Sequence, residues 1–113
     1  MNTQPHVSID SAYTEHWVML TRIVEAKVER LFIARCKYRT GKTQANRWKR
    51  AVEKNFDLAT VTQKDLDAFR DKVNEIKHEE FVAARGFSDE AITPAEYREI
   101  EKAAWKRVGI TVR

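Results

Sequence analysis

Gly41-Lys42-Thr43 has the residue types that close a nucleotide-binding loop, where backbone amides cradle phosphates and the lysine reaches the terminal ones. The full GxxxxGK[ST] pattern needs glycine at position 36, and Cys36 stands there. The pattern also belongs between a strand and a helix, whereas the periodicity here puts a long helix before it. ATP or GTP binding is therefore not expected, and Lys42 belongs with the charges around it. Other chemistries are thinner still. His6, His16 and His78 are scattered, and Glu75, His78 and Glu79 share one helical face without the further ligands a metal needs, so no metal site is expected. Cys36 lies near several cations that would favour its thiolate, but a small buried thiol is the commoner role. No G-x-S-x-G nucleophile signature is present, and the acid pairs Glu79-Glu80 and Asp89-Glu90 fall in helix-end or loop contexts where solvation explains them. The chain reads as a non-enzyme without cofactors.

The chemistry that stands out is electrostatic. Residues 35–50, RCKYRTGKTQANRWKR, hold Arg35, Lys37, Arg39, Lys42, Arg47, Lys49 and Arg50, seven of the 21 basic residues and none of the 17 acidic ones. The rest of the chain is net acidic, so the formal charge of +4 arises entirely in this segment. Arginine and lysine for phosphates, Thr40, Thr43, Gln44 and Asn46 as hydrogen-bond partners, and a helix start with unsatisfied amides make a nucleic-acid footprint. An acidic protein surface satisfies the same charges. Tyr38 and Trp48 fall on inward stripes and are expected in the core.

Composition sets the frame. The length of 113 residues fits one domain, expected over residues 11–113 after a flexible arm at 1–10. Three Gly and two Pro imply few turns and a strongly helical protein. One cysteine rules out an internal disulfide, and neither a signal-peptide core nor a bilayer-length apolar run is visible, so a cytoplasmic, membrane-free setting is expected.

The elements that must position the basic segment follow from spacing. Tyr13, Trp17, Leu20, Val24, Leu31, Ala34 and Tyr38 recur at three- and four-residue steps, with Ile23, Val28 and Phe32 widening the stripe. With no Gly or Pro before Gly41, this predicts one helix of nearly thirty residues, about 43 Å long. Gly41 is expected to stop it in the left-handed conformation, and Thr43 to cap a second helix to about Asn55 carrying Ala45, Trp48, Val52 and Phe56 inward. Thr62 to Asp65 opens a third helix, with Leu66, Phe69, Val73 and Ile76 inside, which Gly86 ends with Phe87 packing back. Thr93-Pro94-Ala95-Glu96 is a capping box with Pro at the first helical position, starting a fourth helix to about Val108. Tyr97, Ile100, Ala104 and Val108 should face inward. The prediction is an all-α four-helix bundle with one long N-terminal helix, in which residues 35–50 make a basic helix-turn-helix-like surface.

Residues 43–73, TQANRWKRAVEKNFDLATVTQKDLDAFRDKV, resemble the helix–loop–helix of the core-binding domain of tyrosine recombinases at Trp48, Val52, Phe56, Leu58, Val61-Thr62, Asp65-Leu66 and Phe69. The resemblance covers under a third of the chain and implies an all-α DNA-clamping module, without the catalytic domain that cleaves strands.

The sequence therefore points to a nucleic-acid-binding accessory protein acting through residues 35–50, of a kind that suits a phage or plasmid. The alternative is an adaptor or inhibitor that docks on a larger assembly, one that itself processes nucleic acid. A homodimer through the first helix, burying Val24, Val28 and Phe32, is a further expectation.

Overall fold

The computed structural model describes residues 4–112, and they do not form an all-α bundle. Three strands come first, β1 (His6–Ala12), β2 (Glu15–Val24) and β3 (Lys27–Lys37). Three helices follow, α1 (Gly41–Asn55), α2 (Gln63–Arg85) and α3 (Pro94–Arg107). The expected long N-terminal helix is instead a three-stranded antiparallel sheet in the order β1-β2-β3. The helix through which a dimer was expected is absent, and Val24 and Val28, its expected contacts, are exposed near the tip of a hairpin. Residues 6–10, expected in a flexible arm, are strand; Met1–Thr3 lie outside the described residues.

Both hairpins turn in two residues. Tyr13-Thr14 joins β1 to β2, and Glu25-Ala26 joins β2 to β3. Tyr13, Glu25 and Ala26 all have positive φ, of 57°, 51° and 65°. Tight hairpins demand this conformation because its twist matches that of the strands, and they usually recruit Asn, Asp or Gly for it. None of those residues stands at either turn.

The sheet separates its faces by alternation. Val18, Leu20 and Arg22 of β2 are buried, in register with Ile9 and Val7 of β1 and with Ala34, Leu31 and Glu29 of β3. The register steps between Val18 and Met19, which pair with Ala34 and Phe32, so Ile33 is the extra residue of a β-bulge and is itself buried. α1 packs across all three strands through Ala45, Trp48, Ala51 and Val52. Burying that many apolar side chains at about 25 cal/mol per Å² is the main force holding helix to sheet.

The described residues form two compact units, one ending at Arg70 and the other beginning at Asp71, a boundary within α2. In the first unit, the opening turns of α2 protect the outer edge of β3 at the bulge. The Gln63 side chain donates from Nε2 to the Phe32 carbonyl at 2.7 Å and accepts from the Phe32 amide at 2.9 Å, taking the place of a fourth strand. Arg70 donates to the Ile33 carbonyl at 2.8 Å. Phe69 meets Trp48 and Phe56 edge-on, with centroids 6.2 and 5.1 Å apart. Asp67 receives bonds from Arg70 and Gln63, which hold its carboxyl below the usual range.

In the second unit, α3 begins where the sequence predicts, with Thr93 and Glu96 forming the reciprocal capping box. The bonds from Thr93, backbone first, keep the Glu96 carboxyl below its ordinary range. The fully buried Trp105 donates from Nε1 to Glu101 Oε2 at 2.9 Å, while Lys77 lies 3.6 Å from the same carboxylate and 4.7 Å above the indole ring. Gly86 and Gly109 close α2 and α3 with positive φ. Phe87, expected to pack back on α2, is fully exposed, and Tyr97, expected inside, is 40% exposed.

Candidate functional site

The sequence-predicted basic segment spans the end of β3, a three-residue turn and α1, a strand–turn–helix in place of the expected helix-turn-helix. Gly41 does not stop a helix; it starts one. A Cβ at this position would lie 2.8 Å from His16 Cδ2 and 3.2 Å from the Cys36 carbonyl, so glycine is what allows the first turn of α1 to press against the ends of β2 and β3. Cys36 is buried beneath that contact, as expected for a small apolar thiol. His16 Nδ1 is hydrogen-bonded to Ser11 Oγ at 2.6 Å.

A strand does precede Gly41-Lys42-Thr43, which removes one of the two grounds against a nucleotide loop. The other ground holds on geometry as well. Position 36 is inside β3, and only Tyr38–Thr40 separate strand from helix, too few residues to wrap a phosphate.

The seven basic residues divide into three groups. Arg35 lies on the sheet face opposite α1, ion-paired with Glu15 and 5.8 Å from the centroid of Trp17, a residue expected in the core that is only half-buried here. Arg30, on the same face, pairs with Asp10 across the sheet at 2.6 Å. These two arginines are held by carboxylates and preset in direction. Arg47, Lys49 and Arg50 ride on α1 beyond its first turn, with Arg50 exposed and the other two partly covered.

Lys37, Arg39 and Lys42 form the third group. They gather at the corner where β3 turns into α1. Lys37 reaches Glu15 only at 3.9 Å, and neither Arg39 nor Lys42 is engaged by an acidic side chain among the described residues. No acidic residue occupies the first turn of α1, and Thr40 at the N-cap makes no side-chain capping bond; Thr43, the expected cap, lies inside the helix because α1 begins at Gly41. The Tyr38 amide donates to the Thr14 carbonyl at 3.0 Å, which draws the β1–β2 turn against this corner. Tyr38, expected in the core, is 76% exposed, and Tyr13 is wholly exposed. Sequence reasoning placed Tyr13 first in a buried stripe and so missed its exposure beside this corner.

A second concavity lies between α2 and α3 in the second unit. Ala83, Ala84, Ala95, Ile100 and Ala103 line a groove of about 560 Å³, with Glu80, Glu96 and Glu99 on its walls. Arg85 answers Glu96 at 2.8 Å, and Arg107 answers Glu79 and Glu80 at 2.8 and 3.3 Å. The hydrogen bonds that Arg107 donates to Glu79 and then to Glu80 hold its proton more tightly than usual. No group of three or more metal-ligating side chains occurs among the described residues, and none of their helices is long and apolar enough to cross a membrane.

Comparison with family models, with curated proteins and with solved structures finds no match to this chain.

Proposed function

We propose that the chain is a non-enzymatic, cytoplasmic accessory protein that binds nucleic acid through the β3–α1 corner. One observation carries the reading. Arg39 and Lys42, with Lys37 beside them in sequence, flank a helix start that contains no acid and are engaged by no acidic side chain among the described residues, while Arg30 and Arg35 on the sheet face are ion-paired with Asp10 and Glu15, the latter also reached by Lys37 at 3.9 Å. Exposed cations on a firmly packed turn, two of them engaged by no acid among the described residues, suit phosphates, which need charge and orientation more than a pocket.

The test is a titration with labelled nucleic acid at several salt concentrations. Affinity should fall with salt at a slope of about 0.7–0.9 per phosphate contact, and Arg39→Ala or Lys42→Ala should each lower the slope by nearly one contact. Binding that ignores salt, or variants that match the parent, would sink the proposal.

A second reading rests on the other unit. The alanine-lined groove, with Phe81, Val82, Phe87 and Tyr97 exposed in the same unit, supports an adaptor that docks on a protein partner. In that case Ala84→Arg should abolish the interaction, and the corner variants should leave it intact.

A further inference from the structure

Tyr13 and Tyr38 are the least economical residues of the first unit. Both have left-handed backbones, with φ of 57° and 70°, a region that aromatic side chains rarely enter. The turns require positive φ, but they do not require tyrosine; Asn or Gly meets the same demand at lower cost. Nor does either ring repay the fold by packing. Tyr13 is wholly exposed and Tyr38 is 76% exposed, and neither ring makes an aromatic or cation contact among the described residues. Strain kept at an exposed position directs attention to a ligand.

Their placement gives the ligand's chemistry. The hydrogen bond from the Tyr38 amide to the Thr14 carbonyl brings the two turns together, so both tyrosines stand at the corner that carries Lys37, Arg39 and Lys42. In sequence the cations interleave with the second ring as Lys37-Tyr38-Arg39. Cations that follow a phosphate backbone beside aromatic rings that receive bases are the two parts of a single-strand site. A duplex offers the phosphates but keeps its base faces stacked within the helix, so it leaves the rings unused.

We infer that the corner binds single-stranded nucleic acid, with unpaired bases stacked on Tyr13 and Tyr38 and the phosphates between them met by Lys37, Arg39 and Lys42. The inference rests on the nucleic-acid reading above and narrows its substrate class. Tight-turn rigidity matters to it, since residues held in short turns, Tyr13 in the β1–β2 hairpin and Tyr38 between β3 and α1, lose little backbone freedom when a base arrives.

The experiment uses the full chain, a labelled oligothymidine of about 15 nucleotides, and a hairpin duplex of similar length, each titrated at two salt concentrations. The single strand should bind at least tenfold more tightly than the duplex. Tyr13→Asn and Tyr38→Asn should each weaken single-strand binding about tenfold, with the salt slope unchanged, whereas Tyr13→Phe and Tyr38→Phe should keep the affinity because stacking needs the ring and not the hydroxyl. Both Asn variants should also melt higher than the parent, by about 4 °C, as the backbone strain is relieved. Equal affinity for the two probes, Asn variants that bind like the parent, or a lower melting temperature that marks the rings as packing residues would each overturn the inference. In those cases salt-dependent binding would still uphold the broader reading. Absence of binding to both probes would remove both, and would direct the corner to an acidic protein surface.

Discussion

The two ends of the sheet treat positive charge in opposite ways. At the end where β2 turns into β3, Arg22 is 8% exposed, donating to the Leu58 carbonyl and to Glu29, both at 3.2 Å, while its buried Nε has no hydrogen-bond partner among the described residues. That guanidinium ties the loop after α1 to the sheet. At the other end, Arg39 and Lys42 stand in water beside two exposed tyrosines. α1 connects the two ends, starting against His16 and Cys36 and leading into the loop that Arg22 holds. Positive φ occurs at both ends, yet the Glu25-Ala26 turn carries no aromatic ring. The difference teaches that a cation's surroundings, more than its presence in a basic run, separate a structural role from an available one.

The comparison breaks most severely at Arg22. Arg22→Ala removes two hydrogen bonds and leaves a cavity under the loop, and chemical denaturation should show a loss of about 2–4 kcal/mol. Nucleic-acid affinity per folded molecule should be unchanged. Between the two ends, Gln63→Ala uncovers the amide and carbonyl of Phe32 at the bulge, and the expected loss is about 1–2 kcal/mol by the same measurement. A value near zero would mean that water replaces the side chain without penalty. Charge reversal of Arg39 and Lys42 together should move stability by less than about 0.5 kcal/mol, since neither is engaged by an acid, while eliminating binding. The smallest effect concerns Asp67. Arg70 and then Gln63 depress its pKa, so its stabilising contribution is complete above the ordinary carboxylate range and is lost as pH falls through the lowered value. Asp67→Asn should therefore reduce the melting temperature slightly at neutral pH, and the gap from the parent should begin to narrow below about pH 4 and close as pH falls through the lowered pKa.

Helices α1, α2 and α3 were legible because their signals are local. Thr93-Pro94-Ala95-Glu96 and Gly86 mark ends chemically, and Ala45, Trp48 and Val52 share one face. The sheet was hidden for three physical reasons. Its outer face carries Trp17, Met19, Ile23, Val28 and Phe32, so apolar residues occur on both faces and the two-residue alternation is lost against a four-residue coincidence. Ile33 shifts the phase of β3 midway. The hairpin turns use Tyr-Thr and Glu-Ala, which read as helix, where Asn-Gly would have shown a turn. A signal was present all the same. Residues 17–33 are rich in β-branched and aromatic types, Val18, Thr21, Ile23, Val24, Val28, Phe32 and Ile33 among them, and that enrichment favours a pleated sheet over a helix. The basic segment was visible from composition, but the division of its charges was not, because Asp10 and Glu15 reach Arg30 and Arg35 only through strand pairing.

The close seat of Gly41 gives the chain an internal clock. Cys36, its one cysteine, is buried at the end of β3 where the first turn of α1 presses down. A thiol reagent reaches a buried sulfur only when the structure around it opens, so the rate of labelling under native conditions reports how often the end of β3 opens locally. A ligand that spans the turn should slow the clock, and no engineered probe is needed to read it.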